Sequence, residues 1–173
     1  MIAITTTTIY FVYIIQKAGK KTKIACTRKT IPGMRIFEKR AVEIGGGDTH
    51  RMSLDDMILL KDTHLKFYDG NIQKLLKNVK QRASFSKKIE LEVEKVDDVI
   101  AAVKNGVDIV MLDNMSPNQV KQAIDDLIQE NLREKTIIEI SGGVTAENIE
   151  DYLVAEPDVI SSSQLTQFPS KQV

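Results

Sequence analysis

Ile89-Glu90-Leu91-Glu92-Val93 opens the stretch whose reading decides the fold. It is followed by Val96, Val99, Ile100 and Val103, then Gly106, then Val107-Asp108-Ile109-Val110-Met111-Leu112. The first run predicts a strand, the residues spaced by three and four an amphipathic helix, and the last run a second buried strand. Gly106 predicts the helix stop, because glycine readily takes the left-handed backbone found just past a C-terminus. A strand, a helix and a strand with no hairpin signal predict parallel pairing through a right-handed crossover.

The same unit repeats on both sides. Upstream, residues 23–27 predict a strand, and Pro32 opens a helix with Met34, Phe37, Ala41 and Ile44 on one face. Residues 57–60 predict the next strand, followed by a helix carrying Ile72, Leu75, Leu76 and Val79. Downstream, Ser116-Pro117-Asn118-Gln119 has the capping-box pattern with proline at the first helical position. Its helix is expected to bury Val120, Ala123, Ile124, Leu127 and Ile128. Residues 136–140 predict a fifth strand, Thr145 the cap of another helix, and residues 158–161 a sixth strand. Alternating strands and helices over 1–173 predict one α/β domain, either a (β/α) barrel or an open doubly wound sheet. The barrel is favoured, because every strand end carries a polar group and no single crevice stands out.

Composition narrows the function classes. A chain of 173 residues with 42% hydrophobic content suits one packed core. Lys+Arg and Asp+Glu are both 24, leaving no net field to draw the chain to nucleic acid or an anionic membrane. A lone Cys26 excludes an internal disulfide and predicts a buried thiol in an intracellular, cytoplasmic protein. With only His50 and His64, a histidine-rich metal cluster is excluded. The first 16 residues are uncharged but shorter than the roughly 20 a membrane helix needs, and four threonines dilute them. They also lack a basic n-region, which argues against a secretory signal. They are expected to pack on the fold or on a partner. Left uncovered, Ile9, Phe11, Val12, Ile14 and Ile15 would form a patch that promotes self-association.

Charge is sorted along the chain. Residues 20–51 hold nine Lys/Arg against three Asp/Glu, and residues 90–113 hold seven acids against two bases. The predicted strand ends carry Arg28-Lys29, Lys61-Asp62, Glu90, Glu92 and Glu94, Asp113-Asn114, Ser141-Gly142-Gly143 and Ser161-Ser162-Ser163. In parallel α/β barrels that rim builds active sites. Arg and Lys in turns suit carboxylates and phosphates. Gly45-Gly46-Gly47 suggests backbone in close approach to a ligand or another loop. Glu92 and Asp113 on buried strands require a cation, a hydroxyl or a metal as partner.

Five blocks then carry a resemblance: Thr27-Arg28-Lys29-Thr30-Ile31-Pro32-Gly33, residues 45–51, Lys61-Asp62-Thr63-His64, Leu112-Asp113-Asn114 and Ser141-Gly142-Gly143. In this order and spacing the chain resembles quinolinate phosphoribosyltransferase, the carboxylating nicotinate-nucleotide pyrophosphorylase, over its C-terminal type II phosphoribosyltransferase barrel. The resemblance implies an incomplete (β/α) barrel and a homo-oligomer. It also implies conversion of quinolinate and phosphoribosyl pyrophosphate to nicotinate mononucleotide, carbon dioxide and pyrophosphate, with Mg²⁺. By motif, Arg28, Lys29, His50, Arg51 and Lys61 would bind the quinolinate carboxylates and nearby phosphates. Glu92 and Asp113 would hold the ribose hydroxyls and the metal-bound pyrophosphate, and are the candidate direct Mg²⁺ ligands. Ser141, Gly142, Gly143 and the turn at Ser163 would take the 5′-phosphate. Lys29, Lys61, Glu92 and Asp113 are the expected catalytic set.

The chain departs from that pattern in lacking the family's N-terminal α/β domain and its last strand. It also has Ser163 where glycine is usual and Gln167 where histidine is common. Two other readings remain: a catalytically silent anion-binding fragment, and a molybdenum-transport-associated paralogue, which Lys61 argues against.

Overall fold

The structure is a computed structural model, described here for residues 1–169. In chain order the elements are α1 (Ile2–Lys17), β1 (Lys23–Cys26), α2 (Arg35–Ile44), β2 (Ile58–Leu60), α3 (Asp62–Lys66), α4 (Ile72–Arg82) and β3 (Ile89–Val93). There follow α5 (Val96–Lys104), β4 (Ile109–Asp113), α6 (Pro117–Gln129), β5 (Ile137–Ser141), α7 (Ile149–Leu153), β6 (Val159–Ser162) and α8 (Gln164–Gln167). All six predicted strands are present. They form a parallel α/β sheet in the order β1-β6-β5-β4-β3-β2, which leaves the barrel incomplete. No helix among the described residues is long and apolar enough to cross a membrane.

The chain divides into two compact units, one of residues 1–53 with residues from Ser141 onward, the other of residues 54–140. In the first, β1 and β6 pair in parallel, Ala25 opposite Ser161 and Cys26 opposite Ser162. Helix α1 buries Ile4, Thr7, Thr8, Phe11, Ile14 and Ile15. The predicted apolar patch is therefore mostly core: Phe11, Ile14 and Ile15 are covered, while Ile9, Tyr10 and Tyr13 are outside.

The threonines that dilute this helix serve as small contact residues. Thr5 Oγ1 donates to the Ala41 carbonyl (3.0 Å) and Thr8 Oγ1 to that of Ile4 (2.8 Å). The triple glycine approaches the same helix: a Cβ on Gly45 would lie 2.7 Å from Thr8 Cβ, and one on Gly47 2.7 Å from Thr8 Cγ2. The close approach expected of these glycines is thus to α1.

Helix α2 differs from its prediction. It starts at Arg35, after a turn at Pro32-Gly33-Met34, and its buried residues are Glu38, Lys39, Ala41 and Val42. Met34, Phe37 and Ile44 are exposed. The two charged residues find partners inside, and so the helix turns its apolar stripe outward. Thr145 is not a helix cap either: α7 begins at Ile149, and Asn148 Oδ1 reaches back to accept from the Thr145 amide (2.8 Å).

In the second unit, β2, β3 and β4 are parallel, with Leu60 opposite Leu91, Glu90 opposite Ile109 and Glu92 opposite Met111. This register sorts the two faces. Leu60, Leu91, Val93, Val110 and Leu112 lie on one and are buried. Leu59, Glu90, Glu92, Ile109, Met111 and Asp113 lie on the other. Helix α5 stops as expected, with Gly106 at φ +70°. In α6 the Ser116 hydroxyl caps the Gln119 amide and Pro117 is the first residue, as read, but Ile128 is exposed.

Candidate active site

The first unit holds the cations Arg28, Lys29 and Arg51, together with His50. Arg28 and Lys29 lie just past the C-terminal end of β1. Their turn is pinned from both sides: the Lys29 amide donates to Thr27 Oγ1 (3.0 Å), and its carbonyl accepts from buried Thr166 Oγ1 (2.7 Å). The Ile31 amide donates to the buried Glu38 carboxylate at 3.3 and 3.4 Å. Arg28 Nε is buried with no hydrogen-bond partner among the described residues. That suits a group held ready for an anion.

The second basic turn runs beside β1. Asp48 bridges Ala25 in parallel, and the Cys26 amide donates to the Asp48 carbonyl (3.1 Å). His50 sits at φ +51°, a left-handed conformation that a non-glycine residue holds only under constraint. Its amide donates to Asp48 Oδ1 (2.8 Å), and its Nδ1 accepts from the Arg51 amide (2.8 Å). His50 Nδ1 is therefore unprotonated.

The small-residue loop is in this unit too. Ser141 ends β5, and Gly142 and Gly143 follow at φ +89° and +68°. The next residues tie to the turn after β6: Ser162 Oγ donates to the Val144 carbonyl (2.7 Å), and Gln164 Oε1 accepts from the Ala146 amide (3.0 Å). Ser163 immediately precedes α8 within that tied turn.

The second unit holds Lys61, Glu92 and Asp113. Carrying the β2–β3 register one step past Leu60 puts Lys61 opposite Glu92 on the acid face. Lys61 Nζ is 2.6 Å from Glu92 Oε2. Glu92 is almost fully buried, whereas Lys61 is half exposed. The Lys61 amide donates to His64 Nδ1 (2.9 Å), fixing the turn. Asp113 ends β4 two residues past Met111 and so is diagonal to Glu92 on the same face. Its carboxyl is pushed above the ordinary aspartate range, mainly by burial and then by the Glu92 charge, with Lys61 opposing.

Glu90 and Glu92 share a face and are both buried, while Glu94 lies beyond the strand and is exposed. Of the three, Glu92 is the one paired with Lys61. Two carboxylates facing one lysine leave a net negative, all-oxygen cluster. Such a donor set fits a hard divalent cation such as Mg²⁺.

Sequence reasoning missed Glu38, Lys39 and Thr166, which hold the basic turns from behind. A signal existed: Glu38, Lys39, Ala41 and Val42 share one helical face, and Ala41 and Val42 are its small apolar members. Two cavities lie away from these groups. One, of about 420 Å³, is bordered by Lys20, Lys21, Lys23 and Asp48 at the opposite end of β1. The other, of about 530 Å³, is bordered by Leu60, Phe67, Leu75 and Val79 on the leucine face of β2.

Known proteins resemble this chain in sequence and fold. Residues 4–170 match the family described as "Quinolinate phosphoribosyl transferase, C-terminal domain". The chain is 48% identical over 166 residues to a probable nicotinate-nucleotide pyrophosphorylase [carboxylating] of Archaeoglobus fulgidus, covering 96% of the chain and 63% of that protein. It is 33% identical over 150 residues to the human nicotinate-nucleotide pyrophosphorylase [carboxylating], covering 87% and 50%. Among solved structures, NadC from Streptococcus pyogenes superposes with a TM-score of 0.84 at 37% identity, covering 95% of this chain and 55% of that one. The nicotinate-nucleotide pyrophosphorylase from Francisella tularensis does so with 0.86 at 34%, covering 97% and 57%. The chain thus spans about half to two-thirds of the length of these relatives. Its fold, its ordered motifs and these matches show that it belongs to the quinolinate phosphoribosyl transferase family, to which it corresponds over the C-terminal domain.

Proposed function

We propose that the chain supplies the phosphoribosyl-transfer site of a carboxylating nicotinate-nucleotide pyrophosphorylase, acting on quinolinate and phosphoribosyl pyrophosphate in NAD biosynthesis. The observation that carries this reading is the Lys61–Glu92–Asp113 cluster at the C-terminal ends of adjacent parallel strands, in a chain whose first unit holds Arg28, Lys29, His50 and Arg51 on braced turns. The names of the relatives favour this activity over the molybdenum-linked alternative. The reading includes a cytoplasmic homo-oligomer.

The residue types suit the reaction. Arg28, Lys29 and Arg51 bind the two quinolinate carboxylates, and guanidinium forks match carboxylates in two-point contact. The pyridine nitrogen attacks C1 of the ribose as the C1–oxygen bond breaks and its electron pair leaves on pyrophosphate. Glu92 and Asp113 stabilise the positive charge that builds on the sugar and hold its hydroxyls. Lys61 pairs with Glu92 and faces the departing phosphates. Glu92 and Asp113 would hold Mg²⁺ together with the pyrophosphate, and the chemistry it would supply there is neutralisation of the leaving group. The bond from ring C2 to its carboxylate then breaks, leaving its electrons at C2. Carbon dioxide departs, and C2 takes a proton. Ser141, Gly142, Gly143 and Ser163 take the 5′-phosphate. No side chain serves as nucleophile, so catalysis is positioning and charge stabilisation.

Calorimetric titration of the folded chain with quinolinate and with Mg²⁺–phosphoribosyl pyrophosphate, beside a product assay for nicotinate mononucleotide, tests this reading. Asp113→Ala should weaken phosphoribosyl pyrophosphate more than quinolinate, and the reverse ranking sinks the role given to Asp113. Binding without product in every assembly tried would leave the silent anion-binding fragment as the better description.

A further inference from the structure

We propose that Glu38 and Lys39 form a buried bracket on α2 that sets the two basic turns of the first unit in their binding positions, Lys39 acting as a positioning residue for His50 and Arg51 and Glu38 for Arg28 and Lys29. This rests on the anion-binding role proposed above for Arg28, Lys29 and Arg51.

Lys39 is fully buried, which lysine almost never is without a partner. Its ammonium donates to the Thr49 carbonyl and lies 3.6 Å from Cys26 Sγ, and the Cys26 thiol is itself 3.5 Å from the Thr49 carbonyl. One cation therefore joins α2, the last residue of β1 and the residue before His50. Packing alone does not explain the choice, because methionine or leucine would fill the same space without desolvating a charge. Burial lowers the lysine's proton affinity, and the sulfur beside it offsets this.

The left-handed backbone at His50 supplies the reason for the bond. Such a conformation persists only where its neighbours over-determine it. Asp48 constrains the turn through the His50 amide, and Lys39 constrains it through the preceding carbonyl. Glu38 does the equivalent for the other turn. It is buried beside Lys39 and accepts from the Ile31 amide, two residues past Lys29, while Arg35 Nε holds Thr30 Oγ1 at 3.2 Å. Consecutive residues of opposite charge thus reach in two directions, each to main-chain groups flanking the cations. Neither needs to touch a substrate.

Two readouts test the bracket on the full chain. Lys39→Met keeps the stem and removes the ammonium. It should speed amide hydrogen exchange at residues 48–52 at least tenfold and weaken quinolinate, as titrated by calorimetry, at least tenfold. Leu153→Ala, a core truncation in α7 of the same unit, should lower stability without either local effect. Glu38→Gln keeps the shape and weakens the anchor. It should loosen residues 28–31 and weaken quinolinate severalfold, and it carries the test if Lys39→Met does not fold. Unchanged exchange at the two turns in a folded variant overturns the bracket. So does a loosening matched by Leu153→Ala. If the unaltered chain takes up no quinolinate, the proposed function fails, and the exchange measurements alone judge the bracket.

Discussion

In the first unit the cations stand on turns beyond β1 and α2, whereas in the second the carboxylates of Glu90, Glu92 and Asp113 stand on the strands themselves. The difference follows from side-chain length and hydration. Arginine and lysine reach a ligand from a distance with their heads in water, so turns can carry them, provided something fixes the turn. Glu38, Lys39 and Thr166 do so. Carboxylates are short, and the ladder that aligns Glu92 with Met111 fixes their position without help. Their difficulty is charge, which Lys61 meets directly. The basic side is thus held in place by its surroundings, and the acidic side is offset in part by its neighbour.

Substitutions that act on one side only can break the comparison. Arg51→Ala should cost about 2–5 kcal/mol in quinolinate binding if its contact is buried and charge-assisted, with little loss of stability. Near-unchanged affinity by calorimetry removes Arg51 from the site. Lys61→Met should do the reverse and lower stability, by about 1–3 kcal/mol in urea unfolding, because it strands a buried carboxylate. The half-exposed lysine keeps this below the loss expected of a fully enclosed pair.

The smallest effect sharpens the acidic side. Asp113 is raised by burial and by Glu92, so its folded form binds a proton more readily than the unfolded chain does. The stability it contributes is fully present below the unfolded aspartate value and is lost as pH rises through the folded value. Asp113→Asn should therefore unfold at slightly higher urea than the parent at about pH 7, with the gap closing at about pH 3.5. A gap that widens on acidification contradicts the assigned cause. Mg²⁺ should stabilise the parent at neutral pH more than this variant.

Much of this was legible in the sequence, for reasons visible in single elements. Buried strands write themselves as short runs rich in apolar residues, so β3 was found with its bounds as read and β4 with ends shifted by a residue or two. The Ser116 capping box and the Gly106 stop are local codes and were read correctly. Helix α2 was misread because a periodic count assumes that charge faces water, and Glu38 and Lys39 invert that rule through main-chain partners in the loops on either side of the helix. Thr145 failed as a cap because its hydroxyl is bonded to the Glu147 carboxylate and the helix starts only at Ile149. The five motif blocks located the candidate residues, but not what braces them. The brace consists of single hydrogen bonds to carbonyls and amides, and these have no sequence signature.

The seat of α1 against the triple glycine has a consequence for inheritance. Positions 8, 45 and 47 form a size-matched set, in which the methyl of Thr8 already fills the space a side chain on either glycine would need. Drift at any one of them is constrained by the other two, so viable substitutions should arise in concert. A lineage that enlarges position 8 would have to move the helix away from the loop that leads to His50.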